Sequence, residues 1–258
     1  MPTNQIKLTR KQFDEGDLVF PANHVVVEVS YSNENAKTKA GIVVGFDKDK
    51  IFAEGTEAHA ADLMEVYGTV VKVPEKLYFD MDDPKSMEYE TEQELQVGDM
   101  VWFGLIESAN AVEILVEDKL YKIMPYADMY VAKRFGRIWR GVGGATGEDI
   151  IIPLNGLCLC QTVTHKKISE LDFVSESKID ITKCIVKYIG KPNKRYKNLN
   201  NVDHQDLQVD DLVLLAPRCP IMYLERKKYM ARFNGDELYI IVPRRKIVMV
   251  IERSKRNE

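Results

Sequence analysis

Four short blocks occur twice in this chain, in the same order, and that order limits what the chain can fold into. Pro21 and Asn23, leading into Val25 and Val27, match Pro153 and Asn155, leading into Leu157 and Leu159. Val70-Val71-Lys72-Val73 resembles Ile185-Val186-Lys187-Tyr188. Leu95-Gln96-Val97-Gly98-Asp99-Met100-Val101 resembles Leu207-Gln208-Val209-Asp210-Asp211-Leu212-Val213, and Leu120-Tyr121-Lys122-Ile123-Met124-Pro125 resembles Leu238-Tyr239-Ile240-Ile241-Val242-Pro243. Each copy closes on one more strand-like run, Met129-Tyr130-Val131-Ala132 and Ile247-Val248-Met249-Val250. Self-similarity in a fixed order is the signature of a tandem duplication, here of an all-β module of about 110 residues.

The spacing between blocks differs at one place. Pro21 and Lys72 are 51 positions apart, whereas Pro153 and Lys187 are 34 apart, so the first copy carries 17 more residues between its first two core strands. An insertion of that size belongs in a surface loop. Within it lies Ala40-Gly41-Ile42-Val43-Val44-Gly45, a short apolar run between two glycines. The flanks, Asn33 to Lys39 and Asp47 to Lys50, are polar and have no hydrophobic periodicity. An apolar patch with no core of its own is either a hairpin strand docked on its own sheet or a bait for a partner. The bait reading is the one carried forward. Glu54 to Tyr67 has the spacing of a short helix inside the same loop and equally reads as irregular loop; no other segment has a sustained helical period.

The Val97-Gly98-Asp99 turn feeds a strand. Gly98 allows a positive φ, Asp99 can accept from nearby backbone amides, and Asp210, in the place of Gly98, tolerates the left-handed region better than most residues. The loop before that turn is acidic in the first copy (Asp82, Asp83) and basic in the second (Lys191, Lys194, Arg195). The glycines between Gly136 and Gly147 mark a linker rather than a phosphate loop, because no Lys-Ser/Thr pair and no strand–helix frame surround them. Phe135, Ile138 and Trp139 are expected to dock part of that linker on a module, and Arg244-Arg245-Lys246 reads as a solvated turn rather than a nucleic-acid patch.

Hydrophobic residues at 45% are enough for real cores. A net charge of −4 argues against a dedicated nucleic-acid or anionic-membrane surface. No apolar run approaches the roughly 20 residues that cross a bilayer. Met1 to Gly16 has no apolar core and is read as an N-terminal extension, neither signal nor transit peptide, so the expected compartment is the cytoplasm. Of the four cysteines, Cys158 and Cys160 share one face of an extended run. They are read, with Cys184 and Cys219, as reduced core residues rather than metal ligands.

The residues together resemble the co-chaperonin family of the GroES type, in a tandem two-module variant. The resemblance rests on the Pro-led first strand, the Gly-Ile-Val-Val loop, the Gly68-to-Val71 strand, the Val97-Gly98-Asp99-Met100-Val101 turn and the closing Tyr121-to-Lys133 block. It covers residues 17 to 134 well and 151 to 253 more weakly. It implies two tandem GroES-like irregular β-barrels with a long mobile loop in the first: an extension (1–16), a first barrel (17–134, mobile loop about 30–65), a Gly-rich linker (135–150), a second barrel (151–253) and a tail (254–258). It implies a homo-oligomeric ring capping a GroEL-type chaperonin, whose apical domains would grip Gly41, Ile42, Val43 and Val44. The partner hydrolyses ATP; this chain needs no cofactor, no metal, no membrane and no nucleic acid, and is no enzyme. GroES-like barrels also occur in zinc alcohol dehydrogenases, but those need a Gly-rich dinucleotide turn in a βαβ frame. The second copy has no glycine-flanked tripeptide. Ile168, Leu171, Phe173 and Val174 are its weaker candidates, in a loop expected to be inert or weakened. The alternative is a structural or assembly protein, viral or cellular, that reuses the barrel without capping anything.

Overall fold

Val25, Val26 and Val27 are all buried, in a strand covered on both faces. That strand, β2 (His24–Val29), is central to the first unit of the computed structural model, which describes residues 5–14, 21–29, 67–79, 89–117, 119–136, 149–166, 177–194, 207–216, 222–223 and 239–253. The described residues are mostly strand, in two sheets, and the fold is all-β. Two compact units divide the chain: Met1–Met87 with Glu92–Arg134, and Glu88–Thr91 with Phe135–Glu258.

In the first unit β2 lies between β3 (Tyr67–Lys72) and β6 (Lys119–Pro125), antiparallel to both. β4 (Met100–Phe103) and β7 (Met129–Arg134) continue beyond β3, and β5 (Val112–Val116) lies beyond β6. A short helix α2 (Leu105–Asn110), not expected from periodicity, precedes β5. The buried Lys122 ammonium donates to the Ser108 carbonyl (2.7 Å) and hydroxyl (2.8 Å). A cation at carbonyls near a helix C-terminus is favourably placed.

The expected N-terminal extension is part of this unit. β1 (Gln5–Leu8) adds in parallel to β5, with Gln5 opposite Glu113 and Leu8 opposite Val116. Helix α1 (Arg10–Asp14) follows and buries Phe13. The segment lacks a long apolar run, but it carries a capping box. The Thr9 backbone N–H donates to Gln12 Oε1 (2.9 Å), and the Gln12 N–H donates to Thr9 Oγ1 (3.3 Å).

The second unit repeats the strand order. β12 (Met222–Tyr223), β13 (Tyr239–Pro243), β9 (Leu157–Lys166), β10 (Ser177–Ile189), β11 (Leu212–Leu215) and β14 (Ile247–Glu252) follow one another as β5, β6, β2, β3, β4 and β7 do. β8 (Ile150–Pro153) opens the unit, so Ile150 is strand rather than linker. Glu88–Thr91, expected inside the first module, belongs here. The Tyr89 hydroxyl donates to the Lys191 carbonyl (2.5 Å) and the Glu90 N–H to Asn193 Oδ1 (3.1 Å), while the Lys194 N–H donates to the Glu90 carbonyl (2.9 Å). Gly156, at φ +67°, leaves the space that the Tyr89 ring fills.

Pairing fixes the equivalences between copies and moves two of the sequence blocks by one residue. His24 pairs with Pro125 and Leu157 with Pro243, so Val27 corresponds to Cys160, not Leu159. Val27 faces Val70 and Cys160 faces Val186, so Val70 corresponds to Val186 rather than Ile185. Both slips go the same way: 43 positions separate Val27 from Val70 and 26 separate Cys160 from Val186, and the excess of 17 stands. Both copies bulge at the same point, opposite the steps Val26/Val27 and Leu159/Cys160. Cys158, Cys160 and Cys184 are buried in the second core and carry no disulfide among the described residues. Phe135 is 48% exposed; Ile138, Trp139 and Cys219 lie outside the described residues. Arg244 is buried and donates to the Gly190 carbonyl (3.0 Å), so it is no solvated turn residue; Arg245 is the exposed one.

Candidate partner-binding site

Gly41, Ile42, Val43 and Val44 lie outside the described residues, as do the second-copy candidates Ile168, Leu171, Phe173 and Val174 and all of the helix expected from Glu54 to Tyr67 except Tyr67, which is strand. The structure describes the frames from which both segments leave and to which they return.

In the first unit the chain leaves at Val29 and returns at Tyr67. Glu28 faces Thr69 on the neighbouring antiparallel strand, so the connection begins and ends side by side. Both ends are anchored in the core. Val29 is buried opposite Leu120. Tyr67 is buried opposite Trp102, with ring centroids 6.5 Å apart. Between these anchors the strands approach closely. A Cβ on Gly68 would collide with Val27 Cγ1 and the Glu28 carbonyl. Only glycine lets β3 lie this near β2. On the outer side Lys119 Nζ donates to Glu28 Oε1 (2.7 Å), and this hydrogen bond raises the Lys119 pKa above its ordinary value.

In the second unit the corresponding connection rides on a longer ribbon. Beyond Thr162, which faces Cys184, β9 and β10 continue from Val163 opposite Asp180 to Lys166 opposite Ser177. Residues 181–183 bulge between the two registers. Ile168, Leu171, Phe173 and Val174 therefore follow the end of a two-stranded arm rather than leaving directly from the sheet.

Below each site the same turn braces β3 or β10. Asp99 Oδ2 accepts from the Gln96 N–H (2.8 Å), and Asp211 Oδ2 accepts from the Gln208 N–H (2.9 Å). The Val70 N–H donates to the Asp99 carbonyl (2.8 Å), and the Val186 N–H donates to the Asp211 carbonyl (3.0 Å). Gly98 and Asp210 both have positive φ, 94° and 69°, as the sequence reading expects. An arginine that the sequence reading missed closes the turn. Arg134 makes a two-pronged bond to Asp99 (Nε to Oδ1 2.9 Å, Nη2 to Oδ2 2.8 Å), and its guanidinium pKa is raised chiefly by that bond. Arg253 takes the equivalent place at 3.9 Å from Asp211. An extra bulge in β14 displaces it by one residue, so a gapless alignment sets Arg134 against Glu252.

No family model matches the sequence, and no curated protein matches it.

Proposed function

We propose that this chain is a co-chaperonin of the GroES type: a lid of two tandem GroES-like barrels per chain. It forms a ring on a GroEL-type chaperonin, binds the partner's apical domains through residues 41–44 of a mobile loop, and assists ATP-driven protein folding. The observation that carries the reading is a contrast between two copies of one hydrogen-bonded frame. The first lengthens a single connection by 17 residues, and that connection holds the glycine-flanked Ile42-Val43-Val44.

The energetics suit a reversible lid. Burying three aliphatic side chains contributes about 1.5–3 kcal/mol each. Ordering the connection costs about 1–2 kcal/mol per backbone residue, so one loop binds weakly. Several loops on one ring bind together through effective concentration and release together when the partner changes state. Strand β14 supports assembly. It is the last strand of its sheet among the described residues, and it exposes Val248, Met249 and Ile251.

The test is co-elution with a GroEL-type chaperonin in ATP, comparing the wild-type chain with Ile42→Asp. Wild type is expected to co-elute as a ring, and the variant to keep its ring but lose the partner. A variant that still caps would refute the assignment of residues 41–44. A wild-type ring that ignores every chaperonin offered would favour the assembly-protein alternative.

A further inference from the structure

The Phe13 ring lies in a slot of the first unit. It stacks on Tyr121 (centroids 4.5 Å apart, planes at 29°), and the Lys72 ammonium stands 4.9 Å from its centroid. Lys72 Nζ also donates to the Phe13 carbonyl (3.1 Å), and Arg10 Nη1 donates to the Tyr121 hydroxyl (3.1 Å). The ring is 3% exposed and packs with Val26, Ile114 and Val116. Among the described residues, the slot is formed by β2, β3, β5 and β6 and filled by residues 5–14.

The second unit has the same frame with a different filling. Val26 faces Lys72 and Leu159 faces Tyr188, so Tyr188 stands where Lys72 does; Tyr239 likewise stands where Tyr121 does. There the two tyrosine rings meet directly, with centroids 6.3 Å apart and planes at 57°. One copy closes the slot with its own strand residue, while the other leaves it to a segment that reaches in from outside the repeated frame.

We infer that the first unit carries a peptide-binding seat and that residues 5–14 occupy it as a ligand tethered in cis. The ligand class follows from the contacts. It is an extended strand that adds in parallel to the edge of β5, followed by one helical turn bearing an aromatic ring. The strand contributes backbone hydrogen bonds, and the ring contributes a stack on Tyr121 and a cation–π contact with Lys72. Tyr188 closes the corresponding place in the second unit.

Two measurements test this. The first is hydrogen exchange on the unaltered full-length chain. Amides of residues 5–8 are expected to exchange through a local opening that leaves Val25 to Val29 protected. Exchange of both segments in one cooperative event would overturn the inference, because it would make residues 5–14 ordinary core. The second uses the full chain with a protease site placed between residues 15 and 20. After cleavage, a fluorescent peptide of residues 1–14 is expected to exchange into the seat with saturable anisotropy. Phe13→Ala in the peptide is expected to weaken binding about tenfold or more, as loss of a buried aromatic anchor does. Lys72→Tyr in the body, copying Tyr188, is expected to abolish peptide binding while the body keeps its cooperative melt. Unfolding of the cleaved body on release of the fragment, equal binding of the Phe13→Ala peptide, or unchanged binding to the Lys72→Tyr body would each overturn it.

Discussion

Asp99 is almost fully buried, and Arg134 is the cation that satisfies it. Removing one partner of a buried pair strands the other, at about 3–5 kcal/mol. Arg134→Ala should therefore cost the first unit about 3 kcal/mol or more by chemical denaturation. Arg253→Ala, whose Nε stands 3.9 Å from Asp211 and whose side chain is 43% exposed, should cost less than Arg134→Ala. Asp128 answers to pH. Burial, and then the nearby Glu107 carboxylate, raise its pKa above the ordinary carboxylate value. The folded state thus holds the proton more tightly than the unfolded one. Stability from this group is fully present below the ordinary carboxylate range and is lost as pH rises through the raised value. Asp128→Asn should raise the melting temperature at pH 7, and the gain should shrink as pH falls; a gain that grew on acidification would contradict the assignment. At this scale the sequence is half legible. The tolerance of positive φ at Asp210 follows from residue type alone, whereas Arg134 and Arg253 are out of step in sequence and fall at equivalent places in their own units only because of the β14 bulge.

Elements were legible where apolar runs alternate with turn residues, and illegible in register where they do not. In β2 all of Val25, Val26 and Val27 are buried, so no alternation tells one face from the other. The one-residue slip between the copies is hidden in that run, and the longer Asn155-Gly156 turn absorbs it. The N-terminal helix was readable from the Thr9-to-Gln12 capping box, but neither it nor β1 from hydrophobicity, because only Phe13 and a few neighbours enter the core. The candidate loop was found by composition, and its own residues lie outside the described ones; what the structure adds is its footing. Gly68→Ala tests that footing. The added methyl meets a backbone carbonyl as well as Val27, so it cannot be relieved by turning a side chain. A loss of about 1–3 kcal/mol is expected from overpacking. A neutral or stabilising result would show that β2 and β3 can separate without cost.

For the whole molecule, two copies of one strand order are not equally finished. Single exposed apolar side chains are ordinary. Three within one strand that ends its sheet among the described residues need an explanation. An exposed apolar edge strand invites another strand, and natural proteins blunt such edges unless they use them. β14 bulges at Val248 and again at Ile251, yet keeps both of these and Met249 exposed. The expected use is pairing with another copy of this chain, which would build the ring that a lid requires. Met249→Glu should leave each chain folded, since exposed substitutions usually change stability by about 0.5 kcal/mol or less. It should also reduce the assembly to single chains by native mass or sedimentation. An assembly of unchanged mass would place the ring contact elsewhere, and a chain monomeric even as wild type would remove the multivalency on which capping by a weak three-residue hook depends.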